Sequence, residues 1–521
     1  MLLKKPMGLI LVIGLSFFVC SCGKKGLVIG QSTLPDSFNP VLEQNLAGLN
    51  VNELLYDGLV NFEIDPANGV MYSEFALAKN IEQSEVDKKT YTIYLNEKAT
   101  WHDGRKVTTS DVLYSYRAYT TKDNKSPSRD YIMSFIADVR PIDDTTLDIV
   151  FKEPLPPFRA YPVLTFKIIP EFYEGKKMNV EMRSGSLERK FATKPIGSGP
   201  FSVSKIDIGR GIEFKRNENY FKTRPNAAYI QIKRIIDPEI RLNELNKGNI
   251  NLILETSPTD RQKVSLIDNL DINSYMPFAF YQIDINTKRF PDVKERKAMA
   301  LALDKQNLVP GITDDEDLVI INNGPYPSNL FSTNIPEYYS DPMPATLLYD
   351  EKQASNLASK SGLINKNPIL IYPDSMGEFG DALAKGFAKQ LSEIGVKIEV
   401  RKLANKVYKK SLDTREYDLA LRYYEGFDNL YSTLSELYTS HGIENVTQLK
   451  DSAVDDLFKK LATENVTSKW IDLILKTDAR LCELCPALYL CCINKDVYSR
   501  GISQIIIGSD NPFLSVEYWV F

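Results

Sequence analysis

A helical stretch that runs into a strand across a single glycine sets the tightest limit on the fold. Leu383, Phe387 and Leu391 recur at helical spacing between Asp381 and Ile394, Gly395 follows, and Val396 to Val400 reads as a strand. Glycine just past the last periodic residue is a common helix stop. Helix, glycine cap and strand in that order is the signature of helices layered on a sheet. The alternation holds along the chain. Thr90 to Leu95 is β-branched and aromatic and predicts a strand, Asp103-Gly104 a turn, and Thr109-Ser110-Asp111 the start of a helix bearing Val112, Leu113 and Tyr116. Leu147 to Phe151 predicts a strand closed by Pro154, Pro156 and Pro157, and Ile196 to Phe201 is glycine punctuation before further strands. Lys294 to Asp304 carries Ala298, Leu301 and Ala302 at helical spacing, and Tyr417 to Leu421 predicts a short buried strand. No repeat and no Gly/Ser linker interrupts the series, so the fold class is α/β. At roughly 150 residues per domain, 521 residues make about three domain-sized units joined by ordinary strands.

Composition removes several functions. With 63 Lys+Arg against 68 Asp+Glu there is no basic surplus to neutralise nucleic-acid phosphates, and two histidines in the whole chain disfavour His-based metal sites. No cofactor is expected. His102, inside Trp101-His102-Asp103-Gly104, is read as part of a turn. Gly197-Ser198-Gly199 lacks the spacing of a hydrolase nucleophile elbow, and no Walker-type phosphate loop occurs. No metal or nucleophile constellation of an enzyme is found, so an enzyme is not expected.

The amino terminus is an address. Lys4 and Lys5 precede an apolar run from Leu9 to Val19 that is shorter than the roughly 20 residues a spanning helix needs. Val19-Cys20-Ser21-Cys22 resembles a bacterial lipobox, which makes residues 1–21 a lipoprotein signal peptide and Cys22 the lipidated residue. The expected location is the cell envelope, on the periplasmic or extracytoplasmic face, lipid-anchored to the membrane. Cys482, Cys485, Cys491 and Cys492 remain, and are expected as one or two local disulfides or as buried free thiols.

An ordered series of short motifs carries a family resemblance. Asn39-Pro40, Tyr56-Asp57-Gly58-Leu59, Thr90 to Leu95, Trp101-His102-Asp103-Gly104, Gly197-Ser198-Gly199-Pro200-Phe201 and Arg216-Asn217-Glu218-Asn219-Tyr220 occur in the first half. Asn286-Thr287-Lys288, Arg296-Lys297-Ala298, Gly395-Val396-Lys397 and Tyr417-Asp418-Leu419-Ala420-Leu421 follow in the second. Together they resemble the extracytoplasmic solute-binding proteins of the oligopeptide and dipeptide ABC importers, bacterial family 5. The resemblance implies a two-lobed, periplasmic-binding-protein-like clamshell (type II, cluster C) with an extra subdomain inserted in lobe one. Lobe one is then expected at 26–270 with 490–521, the insertion at about 63–185, and lobe two at 271–489. It implies a monomer that binds a peptide ligand between the lobes and hands it to ABC permease and ATPase subunits. Relatives that bind murein-derived peptides, nickel complexes or haem supply the alternative cargo.

Site residues come over from the family position by position. Arg422-Tyr423-Tyr424-Glu425-Gly426-Phe427-Asp428 keeps the family's offset between an Arg and an ammonium-binding Asp, one residue late after Tyr417-Asp418 and with Tyr for the usual Trp. Asp428 is expected to hold the peptide ammonium, with Glu425 as rival acceptor. Arg422 is expected on the peptide carboxylate or backbone, with Tyr423 and Tyr424 beside it. Gln31, Ser32 and Thr33 align with positions that pair with the ligand backbone.

Overall fold

The computed structural model describes residues 26–521 except 67–70, 208, 258–259, 276, 278, 311, 314, 316–317, 327–346, 426–429, 465 and 509–510. Two large sheets organise it. The first has seven strands in the order Phe201–Asp207, Gly211–Arg216, Tyr229–Arg234, Gly26–Gln31, Leu252–Ile253, Lys495–Ser499, Asp271–Tyr275. The second has six, in the order Val319–Ile321, Ala487–Ile493, Ala279–Ile285, Leu419–Glu425, Ile369–Pro373, Glu399–Leu403. A further four-stranded sheet, Ala78–Gln83, Thr90–Leu95, Thr146–Phe151 and Ile136–Pro141, shares a hydrophobic core with the seven-stranded one.

The chain passes between the two large sheets twice, at 275–279 and at 493–495. Asp271–Tyr275 pairs antiparallel with Lys495–Ser499 in the first sheet, and Ala279–Ile285 pairs antiparallel with Ala487–Ile493 in the second. The strands flanking the crossings therefore form an antiparallel two-stranded ribbon within each sheet. Sheet membership changes a few residues later than 270 and 490 because each ribbon strand keeps pairing up to the crossing. Away from the ribbon the lobes touch where Phe158 meets Trp470 edge-on at 6.3 Å and where Arg159 Nη1 donates to the Ala462 carbonyl at 2.6 Å.

Local rules explain most elements. Thr108 and Asp111 form a capping box at the start of the helix Thr109–Thr120. Thr90–Leu95 alternates buried and half-buried positions, as a strand with one covered face does. The helix Gly377–Glu393 is longer than the predicted Asp381 to Ile394, and its end shifts the next strand. Gly395 at φ +81° donates to Ser392 and Val396 donates to Leu391, both at 3.0 Å. This is a Schellman cap, and it commits Val396 to closing the helix. The strand consequently spans Glu399–Leu403 and not the predicted Val396 to Val400.

The four late cysteines are free thiols, all buried, the second of the two states expected for them. Burial pushes the Cys485 thiol up to about 12, which leaves it protonated and unreactive at neutral pH. His102 is a structural staple: its Nδ1 accepts from the Gly197 amide at 3.1 Å and its Nε2 sits 3.0 Å from the Gly199 carbonyl. Burial holds its pKa below the ordinary histidine value, so the ring is the neutral tautomer those two bonds require.

Candidate functional site

Strand period places the polar side chains of the second sheet. Ala279–Ile285 and Leu419–Glu425 are antiparallel with Gln282 opposite Arg422, Tyr281 opposite Tyr423 and Phe280 opposite Tyr424. Arg422 and Tyr424, two residues apart, share a face, and the guanidinium lies 4.4 Å above the Tyr424 ring. Phe280 stacks on the same ring at 5.1 Å. A buried hydrogen-bond chain fixes the array. Tyr438 donates to Gln282 Oε1 at 3.0 Å, Gln282 Nε2 donates to Asp284 Oδ1 at 2.5 Å, and Tyr424 donates to Asp284 Oδ2 at 2.8 Å.

Arg422 completes this chain and extends beyond it. Its Nη1 lies 3.4 Å from Asp284 Oδ2, and its Nη2 donates to Glu444 Oε2 at 3.0 Å. Asp284 is 1% exposed, whereas the Glu444 side chain is 55% exposed. Burial raises the Asp284 carboxyl above its ordinary value, against the pull of Arg422 and the bond from Tyr424. The site thus holds a guanidinium with one fixed inner partner and one solvent-side partner that can be exchanged.

Arg422 and Tyr423 line a cavity of about 830 Å³ at the junction of the two sheets. Tyr281, Met376, Tyr408, Arg415, Glu444 and Val446 line it from the second lobe, and Thr256 and Asp496 from the first. The Tyr281 and Tyr423 rings lie 4.6 Å apart, with Phe379 edge-on to Tyr281 at 5.2 Å. Tyr424 is 7% exposed and sits behind Arg422, outside the lining. The Glu425 backbone pairs with Ala279, but its side chain, like the whole of Asp428, lies outside the described residues, as does Cys22.

Gln31, Ser32 and Thr33 lie elsewhere, at the end of the strand Gly26–Gln31, where Thr33 borders a second cavity of about 620 Å³ within lobe one. The Ser32 amide donates to Glu255 at 2.8 Å and its carbonyl accepts from Arg234 at 3.2 Å. A ligand carbonyl pairing with the Ser32 amide would have to displace Glu255. Asp284, Gln282, Tyr438, Glu444 and Asp496 are residues the sequence reading missed. Gln282 and Asp284 had a signal: two polar side chains at period two within Phe280 to Ile285, an otherwise apolar and aromatic strand.

Among the described residues, no group of three or more His, Cys, Asp or Glu side chains is placed to hold a metal ion, and no helix is long and apolar enough to cross a membrane. Residues 74–445 match the profile of the bacterial extracellular solute-binding proteins, family 5. The chain is 25% identical over 343 residues to the oligopeptide-binding protein AppA of Bacillus subtilis (strain 168), a match spanning 66% of this chain and 60% of that protein. It is 23% identical over 493 residues to the dipeptide-binding protein of Escherichia coli (strain K12), 89% of each. Among solved structures it resembles the ABC transporter substrate-binding protein CtaP from Listeria monocytogenes with a TM-score of 0.80 at 22% identity, covering 96% of this chain and 100% of that one. The two-lobed α/β architecture implied by the motif series is the one observed, and these relatives are binding proteins rather than enzymes.

Proposed function

The chain belongs to the bacterial extracellular solute-binding proteins of family 5, and from that membership we propose that it captures oligopeptides or dipeptides between its lobes and delivers them to the permease and ATPase subunits of an ABC importer. The observation that carries the reading is the cavity of about 830 Å³ walled from both sides of the chain crossings. A ligand touching both walls favours the state in which they face one another, by its differential affinity for that state. An extended peptide pairs through its main chain, which is blind to side-chain identity, and charged groups at its ends set register.

Within this reading Arg422 takes the peptide carboxylate or a backbone carbonyl. Asp284 keeps the guanidinium oriented from below, and the ligand oxygen replaces exposed Glu444. Asp428, with Glu425 near it in sequence, takes the α-ammonium, and Tyr423 with Tyr281 offers an apolar wall. Lipid on Cys22 holds the protein to the membrane on its periplasmic or extracytoplasmic face, a reading supported by Lys4, Lys5, the short apolar run and the lipobox-like Val19 to Cys22. Mass spectrometry of cargo released from purified protein, followed by calorimetry on the stripped protein, tests the reading. Peptides bound at one per chain are expected. Stripped protein that binds no peptide but retains another solute would refute it.

A further inference from the structure

The lobe-one wall of the cavity contains a carboxylate whose hydrogen bonding is incomplete. Asp496 stands on the ribbon strand Lys495–Ser499, just past the second crossing, and is 3% exposed. Its Oδ1 is engaged twice, by Arg261 Nη1 at 2.5 Å and by Ser274 Oγ at 2.6 Å. Its Oδ2 is buried and has no hydrogen-bond partner among the described residues. An oxygen in that condition forfeits its hydration without replacement, at a cost that buried polar groups normally avoid. The backbone holds the residue in place: the Asp496 carbonyl accepts from Thr256 Oγ1 at 2.6 Å, and both residues line the cavity.

The guanidinium beside it is also shared. Arg261 serves two carboxylates, Asp496 and, at 3.7 Å from its Nε, Asp315 of the second lobe. Lys263, the next basic residue on the same short helix, is engaged by Glu239 at 2.5 Å. Asp260 and Glu378 approach from opposite lobes closely enough for Glu378 to add to the rise that burial gives the Asp260 carboxyl. Lys495 lines the cavity too, but as the strand neighbour of Asp496 it departs from the opposite face.

From this geometry we infer that Asp496 Oδ2 is a subsite for a basic side chain of the bound peptide, so that the cavity prefers peptides carrying lysine or arginine. The inference rests on the peptide-binding reading and deepens it. The cationic head meets the open acceptor on Asp496, whose one guanidinium partner is shared with Asp315, while the rest of the peptide spans toward Arg422. The α-ammonium is a separate group, since every peptide carries one.

The test is calorimetry with the full-length mature protein and tetraalanine peptides in which one lysine is walked through the positions, each matched by a norleucine twin of the same length and free amine. At low salt, at least one lysine peptide should bind about tenfold more tightly than its twin, the scale of a hydrogen bond between charged groups. Asp496→Asn should reduce that ratio to within about twofold, while Asp496→Glu retains most of it. The wild-type comparison needs no variant, so a folding defect in Asp496→Asn does not shelter the inference. Equal binding of every lysine and norleucine pair overturns the inference and leaves the peptide reading standing. A lysine preference that survives in folded Asp496→Asn also overturns it. No binding by any peptide overturns both.

Discussion

Removing the Arg422 guanidinium tests whether the buried hydrogen-bond chain is organised around charge. In Arg422→Ala, Asp284 keeps its bonds from Tyr424 and Gln282 but, at 1% exposure, loses the only cation that the described residues place against it. Breaking a buried pair from one side costs about 3–5 kcal/mol. The Arg422 side chain is 14% exposed, so the lower end applies, about 3 kcal/mol. For a unit of about 200 residues that corresponds to a fall in Tm of about 6–12 °C at pH 8. The loss depends on pH, with a definite sign. Without Arg422 the Asp284 carboxyl rises further above its already raised wild-type value, the variant's folded state then binds more protons than the wild type's, and the loss grows as pH rises between those two values. At pH 5 the carboxyl is closer to neutral and the penalty shrinks, by about 1.4 kcal/mol for each unit of pH within the window. Differential scanning calorimetry at pH 5 and pH 8 measures both numbers. Asp284→Asn added to Arg422→Ala should recover most of the loss at pH 8 and little at pH 5. A loss that is the same at both pH values, or that the second substitution does not relieve, would show that Arg422 stabilises by packing on Tyr424 and not by charge.

The C-terminal segment gives a second pH signature: burial holds Glu517 up to about 8 and Glu63 to about 7, with Lys222 donating to Glu63 and Glu74, so stability should decline as pH rises from about 5 to 8. Glu517→Gln should gain several degrees of Tm at pH 9 and almost nothing at pH 5; a uniform gain would refute the assignment. Gly395→Ala meets no atom closer than 3.8 Å, so only the strain of φ +81° acts, and a loss of about 1 kcal/mol is expected by thermal melting. Of three tryptophans, Trp101 and Trp519 are fully buried in lobe one while Trp470 touches Phe158 across the lobes, so peptide-induced fluorescence change should vanish in Trp470→Phe. Cys22→Ser should move the protein from the membrane to the soluble fraction, and unchanged fractionation would refute the anchor.

Elements governed by local rules were readable from sequence. Thr90–Leu95 and the helix from Thr109 follow from β-branched content and a capping box, and Gly395 from the need for a left-handed residue at a helix end. The strand after Gly395 was misplaced because the Schellman cap consumes Val396, a hydrogen-bonding matter that hydrophobicity does not report. Arg422 and Tyr423, expected at the ligand from the family motif around Tyr417-Asp418, line the cavity. Asp284 and Glu444 were not legible, since each matters only through Arg422, which lies 138 and 22 residues away in sequence. Asp496 was invisible for a similar reason: its role depends on a crossing that brings the chain's last strand beside Asp271–Tyr275, and no local pattern encodes that partner.

The position of Lys495–Ser499 also constrains the order in which the protein can be made. It fills an interior slot, between Leu252–Ile253 and Asp271–Tyr275, in a sheet whose other strands were all translated more than two hundred residues earlier. Until that strand has been made, the sheet has a gap with open hydrogen-bonding edges on both sides, and pairing across such separations is intrinsically slow. The first sheet therefore cannot close before all six strands of the second have been made, so the lobe begun first is the last to lock.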